Sequence, residues 1–324
     1  MQKICVNMEY LILILSLAGI VLGADFLVKG AVVVARKCRV SSFVIGAVIV
    51  GIGTSLPELV VSTVGAIGGN SEVAIGNVVG SNIFNVFAIL GLTALFFPIA
   101  VSRENMKFEI PFCIAVSILL MLLVYNFFVG GEPRLGRWDG AALLLVFTSF
   151  MWISLRRGKS SAAAGGESVE EENKSLWFAA FSILGGLAAL IVSSNFFVDE
   201  AVAIARKLGV SDAFISITLL ACGTSLPELA ASVTAAVKKD TDMALGNIIG
   251  SNIFNATMIL GTASLITPLT TGKIGLVDYG AMILAAVLPM IFGIRGKITR
   301  IEGLLMLLCY AAYTWYIVTY VMAV

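Results

Sequence analysis

Two acidic residues dominate the chemistry open to this chain. Glu58 and Glu228 each stand in the heptapeptide Gly-Thr-Ser-Leu-Pro-Glu-Leu, at residues 53–59 and again at 223–229. Both lie inside long apolar runs that contain no Lys or Arg. On a helix, Thr54, Ser55 and Glu58 fall near one face, as do Thr224, Ser225 and Glu228. Pro57 lacks an N–H and crowds the carbonyl one turn back, so that carbonyl and its neighbours must find other partners. With Gly51 and Gly53 easing local unwinding, the expected result is a broken helix offering carbonyls, two hydroxyls and a carboxylate. The second copy offers the same from Ala221, Gly223, Thr224, Ser225 and Glu228. In the following run Asn77, Ser81 and Asn85 recur every four residues along one stripe, and Asn247, Ser251 and Asn255 repeat the pattern. All these donors are oxygens, hard and partly anionic, which suits Na⁺ or Ca²⁺; Ca²⁺ takes roughly six to eight oxygens. A charged acid at the centre of a membrane helix costs about 2.5–3.5 kcal/mol, so a bound cation or a proton is needed to cancel it.

The elements that position these residues are membrane helices. The chain has 324 residues, 59% apolar and only 13% charged, with a mean hydropathy of +1.01. That is too little polar surface to cover a water-facing domain. Ten apolar runs are legible, at about 9–35, 42–67, 73–98, 109–129, 138–155, 176–204, 213–237, 243–268, 276–294 and 302–323. Each suffices for a helix crossing the hydrocarbon, where every backbone group must pair internally. With ten spans, one set of connections carries fourteen Lys and Arg and the other six. The positive-inside rule then puts both termini outside, in a multi-pass cell-membrane protein.

Shifting the sequence by 170 residues lays it on itself without a gap. Gly80-Ser81-Asn82-Ile83-Phe84-Asn85 becomes Gly250-Ser251-Asn252-Ile253-Phe254-Asn255, Gly76-Asn77 becomes Gly246-Asn247, and Pro98 becomes Pro268. Five spans per repeat is an odd number, so the second copy enters the membrane from the other side. The expected fold is all-α: ten transmembrane helices in two inverted-topology five-helix repeats. The first half is 1–156, with its repeat core at about 42–98. A short cytoplasmic linker follows at 157–175, then the second half at 176–324, with its core at about 212–268. Inverted repeats with Gly/Pro-broken spans are typical of secondary transporters that bind substrate at the midplane.

The two GTSLPEL segments, followed by GNVVGSNIFN and GNIIGSNIFN, resemble the paired alpha repeats of the sodium/calcium exchanger family, within the cation/Ca²⁺ exchanger superfamily. The resemblance covers nearly the whole chain. It implies Na⁺/Ca²⁺ antiport by alternating access, with four ion sites at the midplane. Glu58 and Glu228 would be central ligands shared by both ions, and Thr54 and Thr224 would add oxygens to the Ca²⁺ site. Ser81 and Ser251, with the carbonyls of Gly51 and Ala221, would complete outer Na⁺ sites. Ser55 and Ser225 would support the cluster, and Asn85 and Asn255 would line its middle. Some relatives carry Asp in place of Asn255, which bears on the number of ions or protons held. K⁺ co-transport is disfavoured for the same reason. The short linker leaves no room for a large Ca²⁺-sensing domain.

Other classes fare worse. A Ca²⁺/H⁺ antiporter, or a K⁺-dependent exchanger, would use the same carboxylates and stays open. The chain has no histidine, which removes triad catalysis and His-bound metals, and no DDxxD run for an intramembrane transferase. No enzymatic activity and no cofactor are expected; Ca²⁺ and Na⁺ are transported substrates. Strong anionic sites also release ions too slowly for a channel. A net charge of +1 argues against nucleic-acid partners. The expected partners are the lipid bilayer, Ca²⁺ and Na⁺, with H⁺ as the rival, and a monomeric or weakly oligomeric state. The five cysteines show no CxxC spacing and read as packing residues. Gly76, Gly80, Gly246 and Gly250 allow close helix approach. Asp139, Asp278 and Glu302 read as acids at helix N-termini. Asp25, Asp199 and Glu200, near span ends, are either solvated or beside an ion path.

Overall fold

A computed structural model describes residues 2–127, 130–161, 175–208 and 223–321 of the chain. The chain forms α1 (Gln2–Cys38), α2 (Ser42–Thr54), α3 (Leu56–Ile67), α4 (Ser71–Phe96), α5 (Arg103–Val124) and α6 (Arg137–Ser161). It continues as α7 (Leu176–Lys207), α8 (Leu226–Val237), α9 (Thr241–Ile266), α10 (Leu276–Gly293) and α11 (Arg300–Thr319). Eight helices among the described residues are long and apolar enough to cross a membrane, or nine when α2 and α3 count as one bent span. The expected span at 213–237 is described only as α8, because 209–222 lie outside the described residues. Helix α6 runs on to Ser161, past the expected start of the linker; 162–174 lie outside the described residues.

Local chemistry fixes the helix ends. Ser41, Ser102 and Ser175 cap α2, α5 and α7 by accepting N–H bonds from Val44, Asn105 and Phe178. The acids read as N-terminal do act there: Asp139 accepts from Gly136 N (2.8 Å), Asp278 from Gly275 N (2.7 Å) and Glu302 from Thr299 N (2.6 Å). Helices α3 and α8 end alike. Gly69 and Lys239, equivalent in the repeat, both take left-handed backbone (φ 77° and 64°), and the next residues bond back to Gly65 O and Ala235 O. Glycine meets that conformation at no steric cost, whereas a lysine there is strained.

The central pair is α4 and α9, with 78% and 83% of their apolar windows buried; they form the floor on which the site stands. The long helices α1 and α7 pack along each other, tightly enough that a Cβ on Gly23 would lie 2.8 Å from Leu190 N and one on Gly186 2.6 Å from Leu27 N. At 1.5 Å per residue, the 32 residues of α7 reach about 48 Å, well beyond a ~30 Å hydrocarbon layer. Their outer faces carry exposed Leu11, Ile14, Leu15, Phe181 and Leu184, suited to lipid. Asp25 lies within α1 and pairs with Lys29 (2.6 Å) and with Lys238 at the end of α8 (2.7 Å). Lys207 of α7 pairs with Glu9 of α1.

Two antiparallel ribbons close the ends of the bundle. Strand β1 (Ile99–Ala100) pairs with β4 (Lys297–Ile298), and β2 (Arg134–Leu135) pairs with β3 (Leu269–Thr270). Strands β1 and β3 occupy equivalent places after α4 and α9, so each half lends a strand to the other.

Candidate ion-binding site

Helices α2 and α3 meet at a 47° bend. The bend falls at Ser55 (φ −84°, ψ 10°), with Pro57 in the first turn of α3. Ser225 has nearly the same backbone (φ −94°, ψ 8°), with Pro227 behind it. Each proline thus starts a new helix, and the glutamate one residue on lies in that helix's first turn. There the exposed N–H groups and the dipole favour negative charge.

Glu58 and Glu228 are fully buried, and they face the opposite half. The Ser225 hydroxyl donates to Oε1 of Glu58 (3.0 Å), and the Ser55 hydroxyl donates to Oε1 of Glu228 (2.8 Å). This exchange brings the two carboxylates to one locus between the first turns of α3 and α8. Among the described residues neither meets a basic side chain, and Oε2 of each is buried without a hydrogen-bond donor.

Helices α4 and α9 supply the remaining walls. Asn77 Nδ2 donates to the carbonyl of Glu58 (3.3 Å) and to Ser62 Oγ (3.0 Å). Asn247 Nδ2 makes the matching bonds to the carbonyl of Glu228 (3.1 Å) and to Ser232 Oγ (2.8 Å). One turn on, the Ser251 hydroxyl donates to the carbonyl of Gly51 (3.2 Å). The Thr54 hydroxyl reaches Val50 O (3.0 Å) and Asn247 Oδ1 (3.3 Å). Asn85 and Asn255 are each the first residue of a π-helical turn, Asn85–Leu90 and Asn255–Ile259. Such one-residue insertions are frequent at functional sites. Gly246 and Gly250 bring α9 against Phe43 and Ala47 of α2; the repeat equivalents of those two residues, 213 and 217, lie outside the described residues.

These bonds join Gly51, Thr54, Ser55, Glu58, Ser225, Glu228 and Ser251 across the two repeats. Ser81 and Asn85 of α4 and Asn255 of α9 are buried as well, Thr224 is half-buried one residue before Ser225, and Ala221 lies outside the described residues. Thr54 and Ser251 bond to the carbonyls of Val50 and Gly51; among the described residues the Thr224 and Ser81 hydroxyls meet no acceptor, the equivalents of those carbonyls, at 220 and 221, lying outside the described residues. Sequence reasoning did not single out Ser62, Ser232, Asn82 or Asn252. All four carried a signal: Asn82 and Asn252 stand inside the duplicated hexapeptide, and Ser62 and Ser232 match at the same 170-residue shift, one helical turn beyond each glutamate.

Buried carboxylates that accept from hydroxyls at the first turns of apolar helices, in a chain with eight helices apolar and long enough to cross a membrane among its described residues, define a multi-pass membrane protein of the ion-transporter class. The family model described as "Sodium/calcium exchanger protein" matches residues 8–156 and 178–319, and the chain belongs to that family, one of transporters and not of enzymes. The chain is 36% identical to a putative antiporter, CaxA, of Alkalimonas amylolytica over 93% of this chain and 97% of that protein. It is 34% identical to the sodium/calcium exchanger MaX1 of Methanosarcina acetivorans, over 95% and 98%. Among solved structures it is similar to the sodium-calcium exchanger NCX_Mj, with TM-score 0.82 and 32% identity over 97% of this chain and 99% of that one.

Proposed function

We propose that this protein is a secondary antiporter exchanging Na⁺ for Ca²⁺ across the cell membrane by alternating access, both ions competing for the cluster around Glu58 and Glu228. One observation carries the proposal. Of the eleven buried side-chain atoms without a hydrogen-bond partner among the described residues, six belong to this cluster: Glu58 Oε2, Glu228 Oε2, Ser81 Oγ, Asn85 Oδ1, Thr224 Oγ1 and Asn255 Oδ1. Buried polar atoms are ordinarily satisfied, and six unpaired oxygens on the duplicated motifs match the donor type and number that Ca²⁺ takes. Two carboxylates balance one Ca²⁺ or two Na⁺, so the ions exclude each other. Without an ion, two negative charges stand in a low-dielectric interior, which opposes crossing while empty and couples the two fluxes.

Within this reading Glu58 and Glu228 serve both ions, and Thr54 and Thr224 add oxygens for Ca²⁺. Ser81 and Ser251, with the carbonyls of Ala221 and Gly51, hold Na⁺ to either side. Ser55 and Ser225 fix the carboxylates, and Asn85 and Asn255 line the middle. Ca²⁺ and Na⁺ are substrates, and no resident cofactor is assigned.

The ribbons support an inverted repeat. β1 and β2 flank α5, a spanning helix, and so lie on opposite faces of the membrane. β3 pairs with β2, so β1 and its equivalent β3 are also on opposite faces. That relation fits ten spans in inverted halves, 1–156 and 176–324, with 157–175 as linker and α8 as the described part of the remaining span. The Lys and Arg distribution supports an orientation with both termini outside.

Purified protein in liposomes tests the proposal. An outward Na⁺ gradient is expected to drive uptake of radiolabelled Ca²⁺, and a pH gradient alone is not. Uptake driven by the pH gradient and indifferent to Na⁺ would assign the carboxylates to Ca²⁺/H⁺ exchange.

A further inference from the structure

Four asparagines join α4 to α9 in a closed amide network at the centre of the molecule. Asn82 Nδ2 donates to the backbone carbonyl of Asn252 (3.0 Å), and Asn252 Nδ2 donates to that of Asn82 (3.1 Å). A carbonyl only accepts, so each side chain must turn its NH₂ toward it and its oxygen away. Asn252 Oδ1 then accepts from Asn85 Nδ2 (3.0 Å), and Asn82 Oδ1 accepts from Asn255 Nδ2 (3.2 Å). An amide oxygen also only accepts, so Asn85 and Asn255 in turn have no choice of face. Their NH₂ groups are held back in the network, and their Oδ1 atoms point out of it, buried and without a donor. Two backbone carbonyls, which cannot rotate, thereby set all four amides.

We propose that Asn82 and Asn252 are positioning residues that dictate ion chemistry at one remove: they force Asn85 and Asn255 to present oxygen, and never NH₂, to the transported cation. The proposal rests on the Na⁺/Ca²⁺ reading of the site. The two ends of an asparagine amide are nearly equal in shape and opposite in polarity. A half-turn of either side chain would aim a pair of N–H donors at a divalent cation at no steric cost. Packing alone does not prevent that, whereas a hydrogen bond on the nitrogen does. Asn82 and Asn252 are buried (1% and 3% exposed), and their side-chain nitrogens and oxygens are all engaged in holding the network, so they serve as its frame and not as ligands. Outer partners of metal-ligating groups typically contribute about 10–100-fold to affinity.

A double-mutant cycle isolates this role. Asn252→Ala is made alone and together with Asn85→Asp, and the Ca²⁺ concentration for half-maximal Na⁺-driven uptake is measured for all four proteins, with the thermal midpoint in detergent. A carboxylate has two equivalent oxygens, so Asp at 85 has no wrong face. The expected result is a loss of about 10–100-fold from Asn252→Ala in the native background and less than about threefold in the Asn85→Asp background. The thermal midpoint should fall equally in both. Equal losses of Ca²⁺ affinity in the two backgrounds would overturn the proposal, making Asn252 a packing residue, while loss of exchange in Glu58→Gln would leave the site reading standing. Absence of Na⁺-driven uptake by the unsubstituted protein would overturn the site reading itself. If Asn252→Ala does not fold, Asn82→Ala with Asn255→Asp gives the pseudo-symmetric cycle and the same two outcomes.

Discussion

A single methyl group at Gly250 should open the site without touching any proposed ligand. In α9 the backbone at Gly250 rests on Ala47 of α2, and an added Cβ would sit 2.6 Å from the Ala47 Cβ. Carbon atoms in ordinary contact stand about 3.5–4.0 Å apart, so α2 and α9 must separate by about 1 Å. The obstruction includes Ala47 backbone, so no side-chain rotation relieves it. The adjacent residue, Ser251, donates to Gly51 O across this seam at 3.2 Å. Adding about 1 Å carries that pair beyond hydrogen-bond range and shifts Ser251 and Asn255 relative to Glu58. An error of about 1 Å in a reacting geometry can cost on the order of 100-fold. Gly250→Ala is therefore expected to raise the Ca²⁺ concentration for half-maximal exchange by about 10–100-fold, measured as Na⁺-driven uptake into liposomes at matched protein content. Gly280→Ala, on an exposed helix face with nothing within 4 Å of the new Cβ, should leave it unchanged. A folded Gly250→Ala protein with unaltered Ca²⁺ dependence would refute the claim that this seam sets the spacing of the ligands.

Asn247→Ala removes the partner of Glu228 O and Ser232 Oγ, and the acceptor facing Thr54. Each buried orphan costs about 1–3 kcal/mol, so a marked fall in thermal midpoint is expected; an unchanged midpoint would mean that the bent helices are held by other means. Ser225→Ala deletes a hydrogen bond to a buried carboxylate, worth about 1.5–3 kcal/mol, and should weaken Ca²⁺ binding about tenfold or more, read by isothermal calorimetry. Lys239→Gly relieves left-handed strain and should stabilise the protein by about 1 kcal/mol, as a small rise in midpoint. Asp25→Asn breaks a partly exposed ion pair between α1 and α8. Pairs of that kind contribute about 0–1 kcal/mol, so stability should change little, and a large loss would assign Asp25 a further role.

Much of the site was legible because duplication supplied an internal comparison. An intramembrane Glu with no basic neighbour is costly, and the same heptapeptide appearing twice made its purpose readable. The bend at Ser55 followed from Pro57, and the N-terminal acids from their position before apolar runs. The frame around the ligands was not legible. Helical period places Asn82 on a face but does not say that an amide from the other half meets its carbonyl, since that depends on how α4 crosses α9. The π-helical turns at Asn85 and Asn255 shift the face by one residue and leave no compositional mark. The two-residue ribbons are too short for any alternation to show.

The most direct test of a shared site is Ca²⁺ binding to purified protein at equilibrium, titrated with Na⁺ and repeated for Glu58→Gln and Glu228→Gln. Competition requires Na⁺ to displace Ca²⁺ completely and cooperatively, and either substitution to abolish Ca²⁺ binding in a folded protein. Ca²⁺ that stays bound at saturating Na⁺, or that binds equally well once both glutamates are amides, would contradict the account.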